Sequence, residues 1–90
     1  MKRILVSITL SPEGMGTIKA TPELQQAEMR FINTWKEEGI LESFFITTKR
    51  TGAFLLFNNA DGNRTKELIG GLPYFPYMSK VEYCELDKQF

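Results

Sequence analysis

Hydrophobic and polar positions alternate along the chain in blocks that predict strands and helices in turn. Ile4–Leu10 is largely apolar and β-branched, which is typical of an interior strand. Apolar residues then recur at helical spacing after Thr21, a suitable N-cap that proline follows, and Gly39 is expected to end this helix. Ser11–Gly16 contains one proline and two glycines, so we predict a loop between the strand and the helix.

The second half of the chain predicts a hairpin, a second helix and a last strand. Ile40–Thr48 and Ala53–Asn58 are aromatic and β-branched runs joined by a polar turn. Asp61 is a suitable N-cap for the second helix, and Gly70–Gly71 should end it. Val81–Leu86 supplies the last strand. The order is therefore β-α-β-β-α-β.

This order predicts an α+β, ferredoxin-like fold, in which a four-stranded antiparallel sheet carries both helices on one face. The whole chain, residues 1–90, would form one domain. The other sheet face would carry Leu5, Ser7 and Thr9, and either Phe44 or Phe45 must also point there. We expect a second copy to cover this face and close a dimeric α/β barrel. The alternative is that the proline-rich connector and the C-terminal tail cover it.

Composition excludes several classes of function. Eleven basic and eleven acidic residues give a net charge of zero, which argues against nucleic-acid binding. The chain has no histidine and one cysteine, so we expect neither a metal site nor a disulfide. No apolar run is long enough to span a membrane, and no signal peptide is recognisable, so we expect a cytoplasmic protein.

The segment Leu72–Met78, which reads Leu-Pro-Tyr-Phe-Pro-Tyr-Met, resembles the stretch before the last strand in the muconolactone delta-isomerase family. Glu38–Gly39 and Ala60–Asp61 fall at matching spacings, and the resemblance runs from Ala20 to Leu86. It implies a ferredoxin-like protomer, oligomers built from dimers, and no metal or organic cofactor. The implied reaction moves a hydrogen between two carbons of an unsaturated lactone.

Glu28 is the most informative candidate for chemistry. It lies within the apolar arc of the first helix formed by Leu24, Phe31 and Trp35. A carboxylate in apolar surroundings can have its pKa raised towards that of a working general base. The family resemblance also implies a helix glutamate here. The alternative is that Glu28 lies at the edge of the stripe and reaches outward towards Arg30 or Lys19.

Tyr77 is the candidate donor to a carbonyl or enolate oxygen, although the proline-aromatic connector would equally serve as a rigid subunit contact. The candidate substrate contacts are hydroxyl and aromatic side chains: Ser7, Thr9, Trp35, Phe45 and Phe75. Trp35 has core packing as its alternative role. Lys49 and Arg50 could bind a carboxylate, but hairpin turns are routinely charged, so we expect a solvated turn.

The leading hypothesis is a homo-oligomeric barrel protein that binds a small apolar or lactone-like molecule and isomerises it by proton transfer without a cofactor. One alternative is a non-catalytic binding or oligomerisation module whose barrel is filled by side chains. The bulky residues that could fill it are Phe44, Phe45, Phe54 and Phe57. Another alternative is a cofactor-free oxygenase of the same superfamily.

Overall fold

The chain forms one four-stranded antiparallel sheet with its helices packed on a single face. The structure, a computed structural model, describes residues 2–58 and 60–90. Its elements are β1 (Lys2–Leu10), α1 (Pro12–Ala20), α2 (Pro22–Glu37), β2 (Leu41–Ile46), β3 (Gly52–Asn58), α3 (Gly62–Gly70), a 3₁₀ turn (Phe75–Tyr77) and β4 (Met78–Asp87). The strand order is β2-β3-β1-β4, and every neighbouring pair is antiparallel. The predicted ferredoxin-like fold is confirmed.

Helix α1 corrects the sequence prediction, which had a loop over Ser11–Gly16. The Ser11 side chain accepts a hydrogen bond from the Gly14 N–H at 2.9 Å, and Pro12 occupies the first turn, where it costs no hydrogen bond. Gly14 serves close packing, since a Cβ there would lie 2.6 Å from the Cβ of Tyr77. Proline and glycine therefore begin and pack a helix here.

Helix α2 follows the predicted bounds, but its buried face is shifted around the helix from Phe31 towards Ile32. Glu28, Ile32 and Trp35 are buried, whereas Phe31 is 41% exposed and rests its ring edge against Trp35. Thr21 precedes the helix without making a side-chain capping bond. The left-handed backbone of Gly39, with φ of 79°, follows its end as predicted.

The two faces of the sheet have different environments. Ile4, Val6 and Ile8 of β1 are buried in the core with side chains from α2 and α3. The intervening residues, Leu5 among them, point to the uncovered face, as predicted. Phe45 also belongs to that face, because it pairs with Phe54 across the hairpin. It is 60% exposed.

The remaining boundaries agree with the sequence pattern to within a few residues. Strand β4 begins at Met78 and ends at Asp87, so it is longer than the predicted strand, whereas β2 is shorter. The side chain of Asp61 accepts from the Arg64 N–H at 2.7 Å, which confirms the predicted cap of α3. No helix in the described part of the chain is both long enough and apolar enough to cross a membrane.

Candidate functional site

A cavity of about 520 Å³ lies between the helix-covered face of the sheet and helices α1 and α2. Its walls are mostly apolar: Ile8 from β1, Ile18 from α1, Ile32 from α2 and Phe44 from β2. The cavity therefore lies within one protomer. Ser7 and Thr9, two of the predicted substrate contacts, were instead expected on the uncovered face.

Glu28 is the acidic side chain that α2 presents to this cavity. The residue is 7% exposed, and its Oε1 accepts a hydrogen bond from the backbone N–H of Tyr74 at 3.0 Å. Within residues 2–58 and 60–90 it takes part in no ion pair. Burial raises the pKa of Glu28 from 4.5 to about 7, against the opposing effect of the Tyr74 hydrogen bond. Near neutral pH the carboxyl can therefore either accept or donate a proton.

Tyr74 also lines the cavity, next to Glu28. It belongs to the connector after α3, and its position is held by the buried Leu72 and by the hydrogen bond to Glu28. Burial, followed by the nearby charge of Glu28, raises the pKa of the Tyr74 hydroxyl. The hydroxyl therefore stays protonated at neutral pH and can donate to a ligand oxygen.

Tyr77, the predicted donor, lies outside the cavity lining. Its carbonyl oxygen accepts from the Ser11 N–H at 2.9 Å, and its Cβ faces Gly14. It therefore connects the 3₁₀ turn to the start of α1. The 3₁₀ turn decides which tyrosine of the connector faces the cavity, and the sequence pattern did not reveal that turn.

Of the seven predicted site residues, all of them described, Glu28 alone lines the cavity. Trp35 is 4% exposed and packs on Phe57, with 5.5 Å between ring centroids, so it belongs to the core. Side chains point alternately to the two faces of a strand, and the register places Ser7, Thr9 and Phe45 on the uncovered face, on the other side of the sheet from the cavity. Phe75 is exposed on the 3₁₀ turn.

No group of three or more histidine, cysteine, aspartate or glutamate residues lies together among the described side chains. The polar and charged side chains in the cavity lining are Glu28, Tyr74, Gln25, Lys19, Lys49 and Arg50.

No protein-family model matches the sequence, and a search of curated proteins finds no match. Solved structures do match. One is 5-chloro-2-hydroxyhydroquinone dehydrochlorinase from Burkholderia phenoliruptrix AC1100, solved in complex with 2,5-dihydroxybenzoquinone. It superimposes with a TM-score of 0.78 over 94% of this chain and 93% of that chain, at 11% sequence identity. The two proteins share a fold.

This likeness supports the predicted ferredoxin-like fold. Membership of the muconolactone isomerase family itself stays a prediction, since no family model matches. An identity of 11% carries neither substrate nor mechanism from one chain to the other. The cavity and its residues have to support any functional assignment.

The raised pKa of Glu28 predicts a pH-dependent stability. Between about 4.5 and 7 the carboxyl is ionised in the unfolded chain and protonated in the folded protein. The unfolded state then binds fewer protons, so the free energy of unfolding should fall as pH rises through this window. We expect a loss of about 3 kcal/mol, since each pKa unit of difference corresponds to about 1.4 kcal/mol.

The measurement is urea unfolding at several pH values for the wild type and Glu28→Gln. Glutamine does not titrate, so the stability difference between the two proteins isolates Glu28 from the other carboxyls. The pKa of Glu42 is lowered mainly by its hydrogen bond from Arg3, and the contribution of Glu42 to stability is the same in both proteins, so it cancels in the difference. A stability difference that does not vary between pH 4.5 and 7 would contradict the raised pKa of Glu28.

Proposed function

We propose that the protein is an enzyme that binds a small, planar, unsaturated molecule in the cavity and moves a proton on it with Glu28. The observation that carries this proposal is a buried carboxyl with a pKa of about 7 at an apolar cavity. A general base works best when its pKa lies near the operating pH. Burial of this carboxyl costs stability, and among the described residues Glu28 forms no ion pair that would offset the cost.

The reaction that fits these groups is a cofactor-independent isomerisation of a lactone or enol-type substrate. The Glu28 carboxylate removes a proton from the carbon next to the carbonyl, and the C–H electron pair moves to the carbonyl oxygen. The Tyr74 hydroxyl donates a hydrogen bond to that oxygen, where negative charge develops. Glu28 then returns the proton to the γ-carbon, the double bond shifts, and the carboxylate is restored. Atoms and electrons balance without an oxidant or a reductant.

The cavity suits a ligand of this class. A volume of about 520 Å³ lies within the range usual for small-molecule sites, and the apolar walls suit a flat hydrocarbon body. The dehydrochlorinase of the same fold binds 2,5-dihydroxybenzoquinone, a planar enol-type ring. That ligand supports the same chemical class for this protein.

The alternative of a barrel filled by its own side chains stays a prediction, and it concerns a different space from the cavity beside Glu28. Phe57 is fully buried in the core, whereas Phe45 and Phe54 lie on the other face of the sheet. Phe44 is the phenylalanine that reaches the cavity wall, and the space stays open beside it.

Tyr74→Phe tests the assignment of the donor. We expect the variant to isomerise α-angelica lactone, a simple unsaturated lactone, about 10²-fold more slowly, because the developing oxyanion loses one hydrogen bond. Proton NMR in D₂O follows both the double-bond shift and the uptake of deuterium. The backbone N–H that bonds Glu28 is kept in this variant.

Tyr77→Phe is the matched control, since it removes the same hydroxyl from a residue outside the cavity. It should isomerise the lactone at the wild-type rate. Equal losses in the two variants would contradict the role of Tyr74. If the wild type does not isomerise α-angelica lactone, this lactone is not a substrate. The wild type and the two variants would then be compared by the same NMR measurement on a panel of enol-type compounds.

We also propose that two copies pack sheet against sheet. The uncovered face carries two neighbouring pairs of apolar side chains on β2, β3 and β1: Phe45 with Phe54, and Leu56 with Leu5. Phe54 is 39% exposed. A chain of this size leaves a large apolar area in water unless a partner covers it.

Phe54→Lys should convert the dimer to a monomer, because an unpaired ammonium group would be buried in an apolar interface. Phe31→Lys is the matched control: Phe31 is 41% exposed but lies on α2, away from the uncovered face. Analytical ultracentrifugation measures both masses. A wild type that sediments as a monomer, or a Phe54→Lys variant that stays dimeric, would contradict the interface.

A further inference from the structure

We propose that the substrate carries an anionic oxygen group on its flat apolar body, and that Lys19, Lys49 and Arg50 bind this group at the mouth of the cavity. The inference rests on the proposed function in one respect, namely that the same cavity binds the substrate. It adds the chemical class of that substrate. The sequence pattern alone favoured a solvated turn for Lys49 and Arg50.

Three cations from two separate elements converge on the cavity. Lys19 comes from the last turn of α1, whereas Lys49 and Arg50 come from the turn between β2 and β3, and all three line the cavity. Each is exposed, while Glu28 is buried deeper inside. None of the three forms an ion pair within residues 2–58 and 60–90.

The charge at this mouth differs from the charge of the whole chain. The protein has a net charge of zero, yet the cavity lining holds three cations and a single acid, Glu28. Even with Glu28 fully ionised, the three cations leave the charge of the lining positive. An unpaired cationic mouth of this kind attracts and orients an anion.

Arg50 occupies a backbone position that an arginine does not favour. Its φ is 61°, in the left-handed region where glycine and asparagine are preferred. The turn is held in this form: the Arg50 N–H donates to the Thr47 carbonyl oxygen at 2.8 Å, and Thr47 Oγ1 accepts from the Thr51 N–H at 2.9 Å. The turn therefore presents the Arg50 side chain from a defined backbone. Its planar fork matches two oxygens of a carboxylate or a delocalised enolate.

The apolar walls indicate the body of the same ligand. Met15, Met29 and Met78 line the cavity from three different elements. Methionine is flexible and polarisable, and it makes favourable contacts with aromatic rings. The walls therefore fit a flat unsaturated or aromatic group, whose anionic substituent would face the mouth.

The experiment compares 2-naphthoate with 2-naphthamide, its neutral isostere with the same flat body. Calorimetry measures the affinity of each for the wild type and for Arg50→Gly. We expect 2-naphthoate to bind the wild type about tenfold more tightly than the amide, as one charge-assisted hydrogen-bond pair allows. Arg50→Gly should remove most of this preference and leave the affinity for the amide unchanged.

Arg50→Gly should also fold well, because glycine adopts the left-handed turn without strain. A thermal midpoint at or above that of the wild type verifies this. Arg30→Ala is the matched control: Arg30 is an exposed cation of α2 outside the cavity lining, and its removal should leave both affinities unchanged.

Each outcome decides the proposal. Equal affinities of the two probes for the wild type, or an Arg50→Gly variant that keeps the preference, would overturn the anion site and leave the proton-transfer site standing. An equal loss in Arg30→Ala would reduce the effect to overall charge and would also overturn it. If neither probe binds, the result contradicts both the proposal that the cavity binds flat molecules and the proposal of an anion site.

Discussion

Glu28→Gln is expected to lower the rate of lactone isomerisation by about 10²- to 10⁴-fold, which is the usual contribution of a positioned general base. The amide keeps the size of the side chain, and its oxygen can still accept the Tyr74 N–H. It cannot take a proton from carbon. Proton NMR of α-angelica lactone in D₂O measures the loss, and sedimentation should show the same mass as the wild type.

Glu23→Gln is the matched control for this variant. Glu23 is an exposed glutamate in the first turn of the same helix and lies outside the cavity lining. Its replacement should leave the rate of isomerisation unchanged. If Glu28→Gln is fully active on a substrate that the wild type isomerises, then Glu28 is not the base.

Gly52→Ala should cause the largest loss of stability among conservative changes. A Cβ at Gly52 would collide with the carbonyl oxygen of Ile8 in the neighbouring strand. That oxygen belongs to the backbone of a central strand, so it cannot move without disturbing the sheet. We expect the free energy of unfolding to fall by about 3 kcal/mol and the melting temperature by more than about 10 °C.

Gly16→Ala is the opposite-sign control. Gly16 lies within α1, and a Cβ there would meet no atom within 4 Å. Alanine favours the helix over glycine by about 0.5–1 kcal/mol, so this variant should melt at a higher temperature. Thermal denaturation followed by circular dichroism measures both. A Gly52→Ala variant as stable as Gly16→Ala would contradict the close strand packing at Gly52.

The fold could be predicted from the sequence because its signals are local. Alternation along Ile4–Leu10 assigned both faces of β1, and Asp61 marked the start of α3. The rotation of α2 could not be predicted in the same way. Phe31 and Ile32 are both apolar and both lie one turn before Trp35, so spacing alone does not decide which of them enters the core.

Of the residues that line the cavity, the sequence predicted Glu28 as a site residue. Glu28 stood out because a carboxyl in an apolar arc conflicts with its surroundings, and the structure places it at the cavity. The cavity itself depends on α1, which forms two walls through Met15 and Ile18 and which the sequence pattern presented as a loop. Tyr74 depends on the same tertiary packing, since the 3₁₀ turn decides which tyrosine of the connector faces inward.

The cation cluster at the mouth shows the same limit of sequence reasoning. Lys49 and Arg50 form an ordinary charged turn in sequence, and Lys19 is thirty residues away from them. Their convergence requires the hairpin and the end of α1 to meet across the cavity. The positive φ of Arg50 distinguishes this turn from an ordinary one, but a backbone angle is known only once the chain is folded.

The most direct test of the account is to locate the lactone in a protein that binds it without converting it. Glu28→Gln with methyl-¹³C methionine provides this, because Met15, Met29 and Met78 line the cavity and report on its walls. We predict that α-angelica lactone shifts these three methyl resonances and gives contacts from the ligand to them. Binding that calorimetry detects but that leaves all three methyl resonances unchanged would contradict the assignment of the cavity as the site.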